Sequence, residues 1–260
     1  RPPRSTLFPY TTLFRSNMNV IFSDFWQFIK NPAISYFERL SLRKKFKVFF
    51  VIMGFNALLQ LLMAFQINQL NQTLMGPENT HKLLEFALST PPLLLFFTTA
   101  ITAPLLEELG FRLSLVFKPA YMSLSVLALS PFILKNITMP DTMPYLKILI
   151  ASFLSLLVLF LFKIPSINRS TAGFWDQHLR WIVYGFVAFF GLLHISNFGN
   201  LSLKILLYSP LITLPQIISG FVLSYLRLRF GFQWSLLYHF LWNGSAITII
   251  ILAKSLGPLV

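Results

Sequence analysis

Glu107, Glu108 and Arg112 are the residues whose chemistry departs most from their surroundings. They lie in Pro104-Leu-Leu-Glu-Glu-Leu-Gly-Phe-Arg112, inside a run from Leu93 to Phe117 that is otherwise uncharged and largely apolar. Ionisable side chains near the middle of a membrane helix are costly and by default mark a functional site. At 3.6 residues per turn, positions four apart lie about 40° apart around a helix, and positions five apart about 140°. Glu108 and Arg112 therefore share a face and can pair, while Glu107 is turned away as the freer carboxylate. The expected roles are Arg112 neutralising and orienting Glu108, and Glu107 facing a reaction centre. A purely structural Glu–Arg clamp between helices is the alternative.

Two further apolar stretches carry partners for these carboxylates. Phe190-Gly-Leu-Leu-His194 places an aromatic ring and an imidazole on one face. His239-Phe-Leu-Trp-Asn243 does the same with an imidazole and a carboxamide, two donors that could aim at one oxyanion. A single membrane histidine is more often an interhelical hydrogen-bonding group than a catalyst, so neither pair is informative alone. Depth makes them so. Counted at 1.5 Å per residue from the predicted cytoplasmic ends, Glu107 lies about 16 Å deep, His194 about 20 Å, His239 about 10 Å and Asn243 about 16 Å. Independent structural hydrogen bonds have no reason to coincide in level.

The elements that must position these groups are membrane helices. Of 260 residues, 55% are hydrophobic and only 11% charged, with 29 phenylalanines. Several apolar runs approach the roughly 20 residues that a spanning helix needs. The fold class expected is an all-α, polytopic transmembrane helical bundle of about seven spans, near 48–66, 92–117, 119–135, 145–162, 181–198, 205–226 and 232–253. An eighth requires a span hidden in the N-terminal region. Loops are expected at 67–84, 136–144 and 163–180, with His81 and His178 solvated in them. The net charge of +13 does not point to nucleic acid, because the basic residues cluster between apolar runs, where they set topology and face anionic headgroups. With the N-terminus inside, 13 Lys and Arg after Met18, Arg112 and Arg227 among them, fall on the cytoplasmic side and five elsewhere. Trp181 and Trp234 are expected in the interfacial belt. With no cysteine, disulfide and thiolate chemistry are excluded.

Residues 6–16, Thr-Leu-Phe-Pro-Tyr-Thr-Thr-Leu-Phe-Arg-Ser, resemble the in-frame translation of a sequencing-adapter oligonucleotide, so 1–16 is set apart as an artefact. Residues 17–47 follow as a cytoplasmic segment. It holds an interfacial helix with Ile21, Phe22, Phe25, Trp26 and Ile29 on one side, then the basic block Arg39 to Lys47. Residues 48–254 form the membrane domain. Pro104, Pro210 and Pro215 are candidate kinks, and Gly185, Gly191 and Gly244 candidate close-contact points. Paired half-helices of the kind that build repeat transporters are not evident.

Glu107-Glu108-x-x-x-Arg112, Phe190-x-x-x-His194 and His239-x-x-x-Asn243, in this order and separated by roughly 80 and 45 residues, resemble the three motifs of the CPBP family. These are the CAAX-prenyl-endopeptidase and bacteriocin-processing intramembrane proteases, or Abi family. The resemblance covers about 92–250. It implies hydrolysis of a peptide bond of a membrane-associated protein or peptide within a membrane cavity, with Glu107, Glu108, Arg112, His194, His239 and Asn243 as the catalytic set. Glu107 with His194 would activate water, and His239 with Asn243 would hold the oxyanion. The expected partners are the lipid bilayer and a protein or peptide substrate, lipidated or not, with no nucleic acid. The expected location is a bacterial inner (plasma) membrane. A non-catalytic immunity or carrier protein of the same fold is the rival. No cofactor is favoured. Zinc held by Glu107, His194 and His239 is the alternative, and it is disfavoured on three counts. HExxH is absent, Asn243 is a poor zinc ligand, and Arg112 carries a fixed positive charge about one turn away.

Overall fold

The computed structural model describes residues 18–33, 40–75, 82–134, 145–197 and 203–256. Every regular element among them is helical. The segment set apart as an adapter artefact lies outside the described residues, as do His81 and Lys135. Eleven helices follow in order. They are α1 (Met18–Lys30), α2 (Leu42–Met75), α3 (Lys82–Ser89), α4 (Pro92–Phe96), α5 (Ala103–Phe111), α6 (Pro119–Leu134), α7 (Leu146–Leu161), α8 (Pro165–Leu193), α9 (Leu203–Ile212), α10 (Leu214–Phe230) and α11 (Phe232–Ser255). A π-helical turn, Phe97–Thr102, joins α4 to α5, and 3₁₀ turns follow α5 at Leu113–Leu115 and α8 at His194–Asn197.

The chain is a membrane protein by the length and apolarity of its helices. Among the described residues, four stretches can cross a bilayer: Leu42–Ala64, Pro92–Leu115, Pro165–Asn197 and Phe232–Ser255. A fifth forms if Ile205–Ile212 and Leu214–Phe230, bent by 44°, act as one. α6 and α7 are apolar but have only 16 residues each, so length alone does not reach seven spans. The bend falls at Thr213, between Pro210 and Pro215, which remove two backbone donors from consecutive turns.

Two helices run past their expected limits. α2 is helical as far as Met75, the last residue described there, and so runs through much of the loop expected at 67–84. The loop expected at 163–180 is instead the first half of α8, so His178 is helical and its ring stacks on Phe174. Pro165 starts the helix at its first turn after extended Ile164, the usual place for a proline. Polar residues there lowered the hydropathy, but a helix need not stop where the lipid does.

α10 is the centre. From Ser219 to Phe230 nearly every residue is buried, packed by α8, α11, α2 and α1. A helix buried on all sides must pair its polar groups, and Arg227 and Arg229 do so through carbonyls and Asp24. Small residues let neighbours approach. A Cβ on Gly220 would meet Val187 Cγ1 at 3.3 Å, and one on Gly191 of α8 would meet Ile217 Cγ1 at 2.5 Å. Gly185 has nothing within 4 Å and is not a contact point. α6 and α7 are clasped by serines: Ser123 Oγ donates to Ser155 O (2.9 Å) and Ser155 Oγ to Ser123 O (3.0 Å).

α1 does not lie free in the interface. Ile21, Phe25 and Phe28 are buried against the bundle, with Phe25 and Phe28 edge-on to Tyr225. Tyr225 Oη donates to Asp24 Oδ2 (2.8 Å), Arg229 pairs with Asp24 Oδ1 at 3.3 Å, and Tyr184 Oη caps the orphan carbonyls of Ile29 and Lys30. Trp234, in the first turn of α11, is likewise buried, among Phe46, Phe49 and Phe230. Trp181 is exposed but stands in the middle of α8.

Gly191→Ala should destabilise the protein by about 1–3 kcal/mol, the usual range for overpacking. It should be read as a lower unfolding temperature in detergent, and Ile217→Ala in the same chain should recover part of the loss. Gly185→Ala should not lower it. Equal behaviour of the two glycines would show that α8 and α10 are not packed at this distance.

Candidate active site

The geometry begins with a missing hydrogen. Pro104 has no N–H, and its ring would crowd the carbonyl four residues back in a regular helix. The chain answers with the π turn: Ala103 N–H bonds to Thr98 O, five residues back. Thr99 O, whose partner in that pattern is the nitrogen of Pro104, is left without an intrahelical donor. Asn243 Nδ2 of α11 supplies it at 3.1 Å. Such π turns recur at functional sites. Here it delivers α5 to α11 and brings the two glutamates against His239.

His239 is the meeting point. Its Nδ1 lies 3.1 Å from Glu108 Oε1, and its Nε2 lies 3.5 Å from Glu107 Oε2. One imidazole thus separates two carboxylates of consecutive residues. The Nδ1 contact is a hydrogen bond to Glu108, whereas the Nε2 contact leaves Glu107 Oε2 without a hydrogen-bond partner.

Arg112 completes the cluster. Its Nε lies 3.6 Å from Glu108 Oε1, and both side chains have zero exposure. That distance is an ion pair but too long for a charge-assisted hydrogen bond, and none of the three guanidinium nitrogens has a hydrogen-bond partner. The guanidinium carbon sits 4.3 Å from the ring centroid of Phe190, a cation–π contact in a dry setting. Phe190 also meets His194 edge-on at 4.8 Å and His239 at 6.2 Å. Sequence reasoning treated Phe190 only as a motif neighbour. Its role as the surface on which Arg112 and both histidines rest was missed, although i,i+4 spacing to His194 was the available signal. Arg112, counted among cytoplasmic charges, is instead sealed in the bundle. Arg227 of α10 donates from Nε to Arg112 O (2.9 Å) and from Nη2 to Leu113 O (3.1 Å), satisfying carbonyls at the end of α5.

A cavity of about 730 Å³ opens beside the cluster. Glu107, His194, His239 and Asn243 all line it, whereas Glu108 and Arg112 do not. Glu107 is 15% exposed. The adjacent carboxylates therefore differ as their helical angles require, one facing the cavity and one sealed. The expected pairings are rearranged. His239, not His194, touches Glu107, and Asn243 uses one N–H on Thr99 O rather than joining His239. His194 Nδ1 must donate to Phe190 O (2.8 Å), which makes Nε2 the acceptor of the neutral ring.

Of the zinc set Glu107, His194 and His239, only Glu107 Oε2 and His239 Nε2 are brought together, at 3.5 Å, while Nδ1 of that ring faces Glu108. Among the described residues His194 makes its contacts with Phe190 and none with either of the other two. Among the described residues no group of three or more His, Cys, Asp or Glu side chains is placed to hold a metal ion.

Comparison with family models, with curated proteins and with solved structures found no significant match.

Removing Arg112 should leave Glu108 buried and unpaired. Arg112→Leu is expected to destabilise by about 3–5 kcal/mol, read as loss of monodisperse protein in detergent. Adding Glu108→Gln to the same chain should restore much of the yield. If Arg112→Leu alone gives wild-type yield and unfolding temperature, the pair does not hold the bundle.

Proposed function

We propose that the protein is an intramembrane endopeptidase of the CPBP type, hydrolysing a peptide bond of a membrane-associated protein or peptide. The reading rests on two adjacent carboxylates against one imidazole, on the wall of a cavity among membrane-length helices. Water in the cavity lies between Glu107 and the Nε2 acceptor of His194. Glu107 takes its proton as the hydroxide adds to the scissile carbonyl carbon. Asn243, with one N–H still available, donates to the oxyanion. Glu107 then returns the proton to the departing amine as the C–N bond breaks. His239 holds Glu107 in place. Glu108 and Arg112 hold His239, away from the water. The substrate is a protein or peptide, lipidated or not, and the setting is a bacterial plasma membrane.

Seven spans follow if α6 and α7 each cross. Their 16 residues rise about 24 Å, short of the roughly 30 Å hydrocarbon core, so the bilayer thins locally or their ends snorkel. The exposed basic residues Arg43, Lys44 and Lys47 support an inside N-terminus. They sit at the N-terminal end of α2, where the helix dipole disfavours cations; a cytoplasmic headgroup surface favours them. A reporter fused beyond Val260 should face outward, and one inserted at Ile164, between α7 and α8, should face the cytoplasm. A cytoplasmic Val260 would put the count wrong by one span.

A second reading, a non-catalytic carrier or immunity protein, is favoured by the cavity volume, which lies within the range of small-ligand pockets. The deciding experiment compares the membrane proteome of cells carrying wild type and Glu107→Gln. Accumulation of an uncleaved protein only with the variant supports hydrolysis, and purified enzyme should then keep its activity after exhaustive chelation. Identical proteomes together with full biological function of Glu107→Gln would favour the carrier.

A further inference from the structure

Gln216 is an unused polar group in the same cavity. It lies in the first turn of α10, directly after Pro215, and its Oε1 is buried without a hydrogen-bond partner. The neighbouring polar atoms are engaged with one another. Gln60 Nε2 donates to Pro215 O (2.8 Å) and to Ser219 Oγ (3.1 Å), and Asn56 Nδ2 donates to Tyr238 Oη (2.9 Å). A buried acceptor without a donor is destabilising, so a ligand donor is the natural complement. Charge defines that ligand further. The chain has 21 Lys and Arg, yet among the described residues lining the cavity none is either, and Glu107 is the one acid. Arg112, sealed behind Glu108, cannot reach an entering anion. The other titratable groups on the wall are the imidazoles of His194 and His239, and His239 already faces Glu108 through Nδ1. A carboxylate brought into the cavity would therefore meet Glu107 with no fixed cation beside it, in a low-dielectric setting.

We infer that Gln216 is a substrate-binding residue that hydrogen-bonds the backbone of an internal, uncharged peptide segment, and that the cavity rejects a free chain terminus carrying a carboxylate. A peptide unit carries both a donor and an acceptor, so it can answer either end of the Gln216 carboxamide. The remaining walls, among them Phe86, Phe132, Leu193 and Trp242, suit apolar side chains. This rests on the endopeptidase reading, because it names the substrate of that site.

The test measures binding in detergent-purified protein with Glu107 intact, over times too short for turnover, with mass spectrometry confirming that the probe is whole. The probes are a fluorescent, N-acetylated and C-amidated leucine–alanine peptide and the same peptide with a free carboxylate. The amidated probe should bind more tightly. Gln216→Leu and Gln216→Met should each weaken its binding by about fivefold to tenfold, the range for one lost hydrogen bond, while unfolding at or above the parent temperature. Equal binding of both probes, tighter binding of the free carboxylate, unchanged affinity in both variants, or loss of fold in both would overturn the inference. Absence of binding by either probe would overturn it too. If binding follows the expected pattern but the protein with Glu107 intact cleaves nothing, the hydrolytic reading fails, and Gln216 serves a peptide carrier instead.

Discussion

The bundle depends on keeping a charge pair dry. Glu108 and Arg112 are both fully buried, and isolated charges in such a medium are costly enough to unfold a helix pair. Their mutual attraction is not sufficient on its own, because at 3.6 Å the guanidinium makes no hydrogen bond to the carboxylate. Phe190 beneath the guanidinium and His239 on the shared carboxylate oxygen supply the rest. The pair therefore recruits one residue from α8 and one from α11. Three helices become fixed around one electrostatic constraint, and the positions of the cavity-lining groups follow from it.

That constraint is met only because α5 is bent into register. A straight helix through Pro104 would clash, and the π turn both relieves the clash and leaves Thr99 O for Asn243. The two features are linked: the proline that forbids a regular helix also creates the acceptor that ties the helix to α11. A side chain that sequence reasoning assigned to chemistry has a structural engagement as well, and its two N–H groups allow both.

The membrane class, the all-helical fold and the six polar residues were legible because each is a departure from an apolar background. Residues 107, 108 and 112 announced their faces through helical angle alone, and the shared depth of three predicted spans anticipated one cavity. What was not legible has a common cause. Pairing across helices depends on rotation and tilt, which hydropathy does not carry, so His194 and His239 could not be told apart as partners of Glu107. Element ends failed where polarity was taken for loop: α8 starts at Pro165 and α2 runs to Met75 because helices extend beyond the lipid. The burial of Trp234 was not legible because tryptophan suits a surface and a core equally, and only packing against the rings of Phe46 and Phe49 shows it enclosed.

Consecutive glutamates on one helix look interchangeable in the sequence. A rotation of about 100° between neighbouring positions instead gives them different solvents, one sealed against Arg112 and one at the cavity wall. The imidazole stands between the two environments, hydrogen-bonded to the sealed carboxylate and 3.5 Å from the one at the wall. Neighbouring residues of one type thus take different parts: anchoring a charge network requires dryness, and contact with a cavity requires access.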